Sequence, residues 1–144
     1  MGGGKILDAP VMRSLPQSIE AEQSVIGSMI IDKNAIAKVL ESLNEEDFYR
    51  DGHKVIYKAI LEMFRNDMAV DLVTLLEYLK STEMLERAGG VTYITEVSSS
   101  VPSTANLSSY IKIVSDKSTL RKLIKASTTI IEESYNNQSN VENV

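Results

Sequence analysis

Four groups of residues have types and spacing that could do chemistry. The first is the glycine pair of "ERAGGVTYI", Gly89 and Gly90, ahead of an apolar run. Glycines before a helix can let several backbone amides converge on a phosphate, but such a loop also needs a lysine and a hydroxyl residue at fixed offsets. Here Val, Thr, Tyr and Ile follow, and no strand precedes. Glycine is also favoured just past a helix end, so the pair reads as the close of a helical turn that re-aims the chain. The second is His53, the single histidine in a chain without cysteine, a poor start for a metal site and better read as a surface or hydrogen-bonded residue. The third is the acidic run Glu45, Glu46 and Asp47, which lies at an expected helix start and suits a dipole or solvation role better than acid–base work. The fourth is basic: Lys112, Lys117, Arg121, Lys122 and Lys125, against Asp116. Lys117, Arg121 and Lys125 recur every four residues and so share one helix face. That face is either solvated or the charged rim of a contact with an acidic partner or single-stranded DNA. No aromatic residue interleaves these cations as a stacking platform would require.

The elements that must carry these residues are helical, so the expected class is all-α. Ser18 can cap a first helix with Glu20 and Glu22 in its opening turn and Val25, Ile26, Met29 and Ile30 inward. Gly27 within it is either a tolerated weakness or a point of close approach by a neighbour. Asp32 or Asn34 can start a second helix with Ile36, Val39, Leu40 and Leu43 inward; "NEEDFY" breaks the pattern, with Phe48 and Tyr49 anchoring the loop. A third helix is expected over about 50–65, with Ile56, Ile60, Met63 and Phe64 inward. Asp71 can cap a fourth, with Leu72, Leu75, Leu76 and Leu79 at helical spacing. Val91, Ile94, Val97 and Val101 favour a fifth helix over a strand, because no partner strand is evident, and Pro102 should end it.

The last stretch holds no proline or glycine from Thr104 to Asn137. Thr104 can cap it, and a helix of about 32 residues would reach roughly 48 Å. A head of about 85 residues should measure only roughly 30 Å across. The helix should therefore overhang the head; the alternative is that it bends back over the head and its upper apolar residues are ordinary core. Leu107, Tyr110, Ile111 and Val114 are expected on the head, and Leu120, Leu123, Ile124, Ile130, Ile131 and Tyr135 beyond its reach. An exposed apolar stripe of that size marks a helix-pairing interface. The expected divisions are a flexible leader over 1–14, native or added by a tag, a head over 15–103, the long helix over 104–137, and the start of a further connection over 138–144.

Composition narrows the function. The 144 residues suit one domain, 43% are apolar and 24% charged. A net charge of −5 counts against a dedicated phosphate-backbone binder. The lack of cysteine, of a membrane-length apolar run and of a signal-peptide pattern fits a cytoplasmic protein with no membrane partner.

Six blocks carry a family resemblance: "LPQSIEAEQSVIGSMIID", "DFYRDGHKVIYKAI", "VDLVTLLEYL", "ERAGGVTYI", "VPSTANLSSYIKIVSDKSTLRKLI" and "ESYN". In this order they resemble the N-terminal domain of bacterial DnaB-type replicative helicases, from about Leu15 to Val144. The resemblance implies a helical head followed by a helical hairpin whose first helix matches Thr104–Asn137, with the return helix due near Val141. It implies a non-catalytic module of a hexameric helicase, in which hairpins pair between subunits into a collar and the C-terminal domain of primase docks. It places primase contact at Tyr93, Ile124 and Ile130. ATP and Mg, and most contact with single-stranded DNA, would belong to a motor domain whose nucleotide motifs do not occur in these residues. The competing reading is a small helical DNA-binding domain using the Lys112–Lys125 face.

Overall fold

The computed structural model describes residues 14–101 and 103–143. The expected leader, apart from its last residue, and the stop at Pro102 lie outside them. Six α-helices appear among the described residues: α1 (Ile19–Ile31), α2 (Lys33–Ser42), α3 (Asp51–Arg65), α4 (Leu72–Ser81), α5 (Gly90–Ser99) and α6 (Leu107–Asn136). A 3-10 turn, Glu45–Asp47, joins α2 to α3, and another, Val141–Asn143, follows α6. The all-α expectation holds.

Local chemistry sets most boundaries. The Ala21 amide donates to Ser18 Oγ at 3.2 Å and opens α1. Asp32 closes α1 through its own N–H and opens α2 by accepting from the Asn34 amide at 2.9 Å. Asp71 and Thr74 form a reciprocal capping box at α4, which satisfies two backbone donors at once. Gly89 and Gly90 have φ of 116° and 87°, a region closed to most side chains, and the chain turns there from the 85–89 turn into α5.

Helix α1 runs through the centre and touches α2, α3, α4, α5 and α6. Val25, Ile26, Met29 and Ile30 are buried against Ile36, Ile56, Ile60, Leu75, Leu79 and Ile94. Gly27 is a point of close approach: a Cβ there would stand 2.6 Å from the Val97 carbonyl oxygen and run into the Val101 side chain. Alanine at 27 would force α1 and α5 apart.

Three inward assignments fail. Phe64 is 41% exposed, because Met63 beside it takes the core position and adjacent helical residues point about 100° apart. Val91 is 46% exposed; it lies in the first turn of α5, before the helix reaches the core with Ile94 and Val97. Tyr49 is exposed too, so of the two aromatic residues only Phe48 anchors that loop by burial. Thr104 does not cap α6: its hydroxyl donates to Asp32 Oδ2 at 3.1 Å, and the helix starts three residues later at Leu107 after an uncapped Asn106.

At 30 residues α6 is about 45 Å long. Leu107, Ile111, Val114 and Ser118 are buried on the head, whereas every residue from Lys122 to Asn136 is exposed. The upper half thus projects clear of the head, roughly 22 Å beyond its last attachment.

Candidate functional site

The expected pairing residues Leu120, Leu123, Ile124, Ile130, Ile131 and Tyr135 are all exposed, from 39% at Ile124 to 70% at Tyr135. At about 100° per residue they fall within an arc of roughly 140°. That arc lies nearly opposite the face by which Leu107, Ile111, Val114 and Ser118 hold the head. The stripe is therefore turned away from the head as well as raised above it. Ile113, also exposed, extends it downward. It was not expected on this face, although its place seven residues before Leu120 is the signal that would have found it.

The basic residues do not share one free rim. Lys112 pairs with Asp116 at 2.7 Å. Arg121, expected on a rim or on DNA, turns back to the head instead. Its Nη1 donates to the Pro16 carbonyl at 2.9 Å and its Nη2 to the Asp47 carbonyl at 2.8 Å, with the guanidinium 5.5 Å from the centre of the Tyr49 ring. Lys122 reaches Asp47 Oδ1 at 3.4 Å. Lys117 is half-buried and Lys125 exposed, so the expected three-cation face is reduced to its outer two members.

Tyr93, placed by the resemblance at a partner contact, sits in a polar knot inside the head. Arg50 Nη1 and Gln23 Nε2 donate to its hydroxyl oxygen at 3.0 and 3.1 Å, and His53 Nε2 lies 2.7 Å away. The two donors occupy both lone pairs, so the Tyr93 proton is given to His53 Nε2. His53 then carries its proton on Nδ1 and donates it to Glu22 Oε1 at 2.8 Å. Glu22 also accepts from the backbone N–H of Tyr49 at 2.8 Å and of Arg50 at 3.3 Å. Helix α3 has no capping side chain of its own, and this buried carboxylate from α1 stands at its positive end in place of one. Glu22, expected only as a first-turn acid favoured by the helix dipole, is thus a core residue. His53 is hydrogen-bonded as expected but fully buried. Its spacing to Ile56 and Ile60 on one face of α3 was the signal for that position.

The acidic run also divides. Asp47 is buried and accepts from the Asn44 amide at 2.8 Å and from Ser118 Oγ at 2.7 Å, while Glu46 reaches Lys54 at 3.7 Å. Burial, reinforced by the Asp47 charge, raises the pKa of Tyr57, whose hydroxyl donates to the Leu43 carbonyl at 2.6 Å. A cleft between α3 and α4, about 380 Å³, is lined by Asp51, Glu62, Lys54, Tyr78 and Arg87. Its charges answer one another: Arg87 lies 3.5 Å from Asp51, and Tyr78 donates to Glu62 at 2.6 Å, a bond that raises the phenol's pKa. Among the described residues no group of three His, Cys, Asp or Glu gathers for a metal, and no helix is long and apolar enough to cross a membrane.

Sequence and fold match known proteins. The model of the DnaB-like helicase N terminal domain matches residues 14–116, which takes in the whole head and the start of α6. The chain belongs to the DnaB-like helicase N-terminal domain family. The replicative DNA helicase DnaC of Bacillus subtilis is 43% identical over 129 residues, covering 90% of this chain and 28% of that protein. The crystal structure of the N-terminal domain of DnaB helicase from Mycobacterium tuberculosis superposes with a TM-score of 0.81 at 41% identity, over 85% of this chain and 88% of that one. A DnaB-like replicative helicase, described together with its interactions with primase, matches with a TM-score of 0.72 at 30% identity, over 82% of this chain and 28% of that one. The chain thus spans less than a third of the full-length helicases it resembles.

In this DnaB-type domain Tyr93, Ile124 and Ile130, which the sequence resemblance suggested as partner contacts, fall into two places. Helix α5, with Tyr93, packs on α1 and α4, whereas α6 packs on α1, α2 and the 45–47 turn and carries Ile124 and Ile130 beyond them.

Proposed function

We propose that this chain is the assembly and primase-docking domain of a replicative DNA helicase, with no catalytic step of its own. One observation carries the reading: an apolar stripe from Ile113 to Tyr135 on the side of α6 away from the head. Fully burying each such side chain is worth roughly 1.5 to 3 kcal/mol, and the head cannot bury them. A partner helix, from another helicase subunit or from the primase C-terminal domain, can. Ile124 and Ile130 make that contact directly. Tyr93 offers only its half-buried ring, because its hydroxyl is spent within the head. Lys117 lies at one edge of the stripe and supplies charge selectivity more than affinity, whereas Lys125 lies on the opposite side of the helix. ATP and Mg belong to the rest of the helicase, where the motor acts on DNA.

Titration of the chain with a primase C-terminal domain at low and moderate salt tests this reading. Apolar docking predicts an affinity that changes little with salt and is abolished by Ile124→Asp with the head still folded. If Ile124→Asp binds as the unaltered chain does, the stripe is not the docking face. Binding of single-stranded DNA with a steep salt dependence would support the DNA-binding reading instead.

A further inference from the structure

The turn between α2 and α3 and the middle of α6 form a latch. Asp47, 7% exposed, accepts from Asn44 in its own turn and from Ser118 and Lys122 of α6. One turn further along, Arg121 donates to two backbone carbonyls, those of Pro16 ahead of α1 and Asp47 in the turn, and lies over the Tyr49 ring. A planar guanidinium with two carbonyl acceptors is held in direction as well as in place, which a point charge is not. Beyond Lys122 every residue of α6 is exposed. Arg121 and Asp47 therefore sit at the fulcrum of an overhang of roughly 22 Å, where a tilt of about 10° moves the tip by about 4 Å. Helices pack 8–10 Å apart, roughly, so a shift of that size spoils side-chain interdigitation.

We infer that Asp47 and Arg121 are positioning residues that fix the direction in which α6 leaves the head and so set the geometry in which its apolar stripe is presented. The apolar contacts of Leu107, Ile111 and Val114 hold the lower helix on the head independently. Loss of the latch thus loosens direction and leaves the fold. The consequence for partners rests on the docking function proposed above, whereas the angular claim does not.

The chain has no cysteine, so a spin-label pair can be introduced at Lys58 on α3 and Glu132 near the tip of α6 without background. Labelled protein is diluted into unlabelled protein, so that pulsed dipolar spectroscopy reads distances within one copy. The unaltered chain and a Lys117→Met control should each give one narrow distance distribution. Arg121→Met and Asp47→Asn should each broaden it about twofold at unchanged helicity, and Arg121→Lys, which keeps the charge without the fork, should fall between. The double variant should be broader than either single one, because Arg121 ties to main-chain carbonyls and the Asp47 side chain to Ser118 and Lys122, two separate ties. Distributions as narrow as the control's in Arg121→Met and Asp47→Asn would overturn the inference. So would broadening that appears only with loss of helicity, since that would make the residues ordinary supports of the fold. Primase binding lost in Ile124→Asp but unchanged in Arg121→Met would uphold the docking face and reject its dependence on the latch; unchanged binding in Ile124→Asp would reject the docking face and leave the distance result to stand alone.

Discussion

The lower and upper halves of α6 share one unbroken backbone but differ in which side of it is apolar. Below Ser118 the apolar side faces the head and is sealed, with Leu107, Ile111 and Val114 in the core. Above it the apolar side faces away, and the residues on the head side are Arg121 and Lys122, which grip Asp47 by hydrogen bonds. A helix built only to finish the head would have kept its apolar residues in phase with α1. The change of phase shows that the upper half is not adapted to the surface beneath it, and Ile113 shows that the outer stripe begins before the head ends.

The same charge placed in each half separates them most sharply. Val114→Asp should bury an unpaired carboxylate and cost at least about 4 kcal/mol, a large part of a small domain's stability, seen as loss of cooperative melting. Ile124→Asp should shift stability by no more than about 0.5 kcal/mol and act on association instead. Equal melting losses would erase the distinction. Next in size is Glu22→Gln, which leaves His53 and the start of α3 without their charged acceptor. It should cost about 2 kcal/mol in denaturant unfolding while leaving partner affinity unchanged wherever the protein remains folded.

A smaller effect is expected from Tyr57→Phe, which loses one buried hydrogen bond and about 1 kcal/mol at neutral pH. Its pH dependence has a definite sign. The Tyr57 pKa is raised in the folded state, so the folded chain holds that proton more tightly than the unfolded one. The resulting stability is complete below about pH 10, where unfolded tyrosine titrates, and is lost as pH rises through the folded value. Urea midpoints should fall less steeply above that pH in Tyr57→Phe than in the unaltered chain. The smallest effect is Lys117→Glu, which should leave folding alone and weaken partner binding by about threefold or less, since exposed charge pairs are worth little. A larger loss would place Lys117 inside the contact.

Much of this was legible in the residues because it is local. Ser18 and Asp71 cap where short-range chemistry says they should, Gly89 turns the chain, and the helical period found α1, α3 and α4. The overhang was legible from length alone. The failures share a cause as well. Phe64 lies beside Met63, and a period cannot decide which of two neighbours turns inward; Val91 keeps the right period in a turn that the core does not reach. Thr104 was a sound cap by type but is drawn to Asp32, 72 residues away. The knot of Glu22, His53 and Tyr93 and the grip of Arg121 on Asp47 join residues 31 to 74 positions apart, so nothing local announces them. Arg121 in particular has the spacing of a rim residue and becomes a brace only because the 45–47 turn lies beneath it.

The claim that the stripe is a face meant for burial by another helix is tested most directly by light scattering. The 15.9 kDa chain and its Ile124→Asp variant would each be sized with and without a primase C-terminal domain. The account predicts that the unaltered chain exceeds the mass of one copy, by self-pairing or by capture of the primase domain, while Ile124→Asp stays at one copy in both runs. An unaltered chain that remains a single copy in both, or a variant that assembles just as the unaltered chain does, would contradict it.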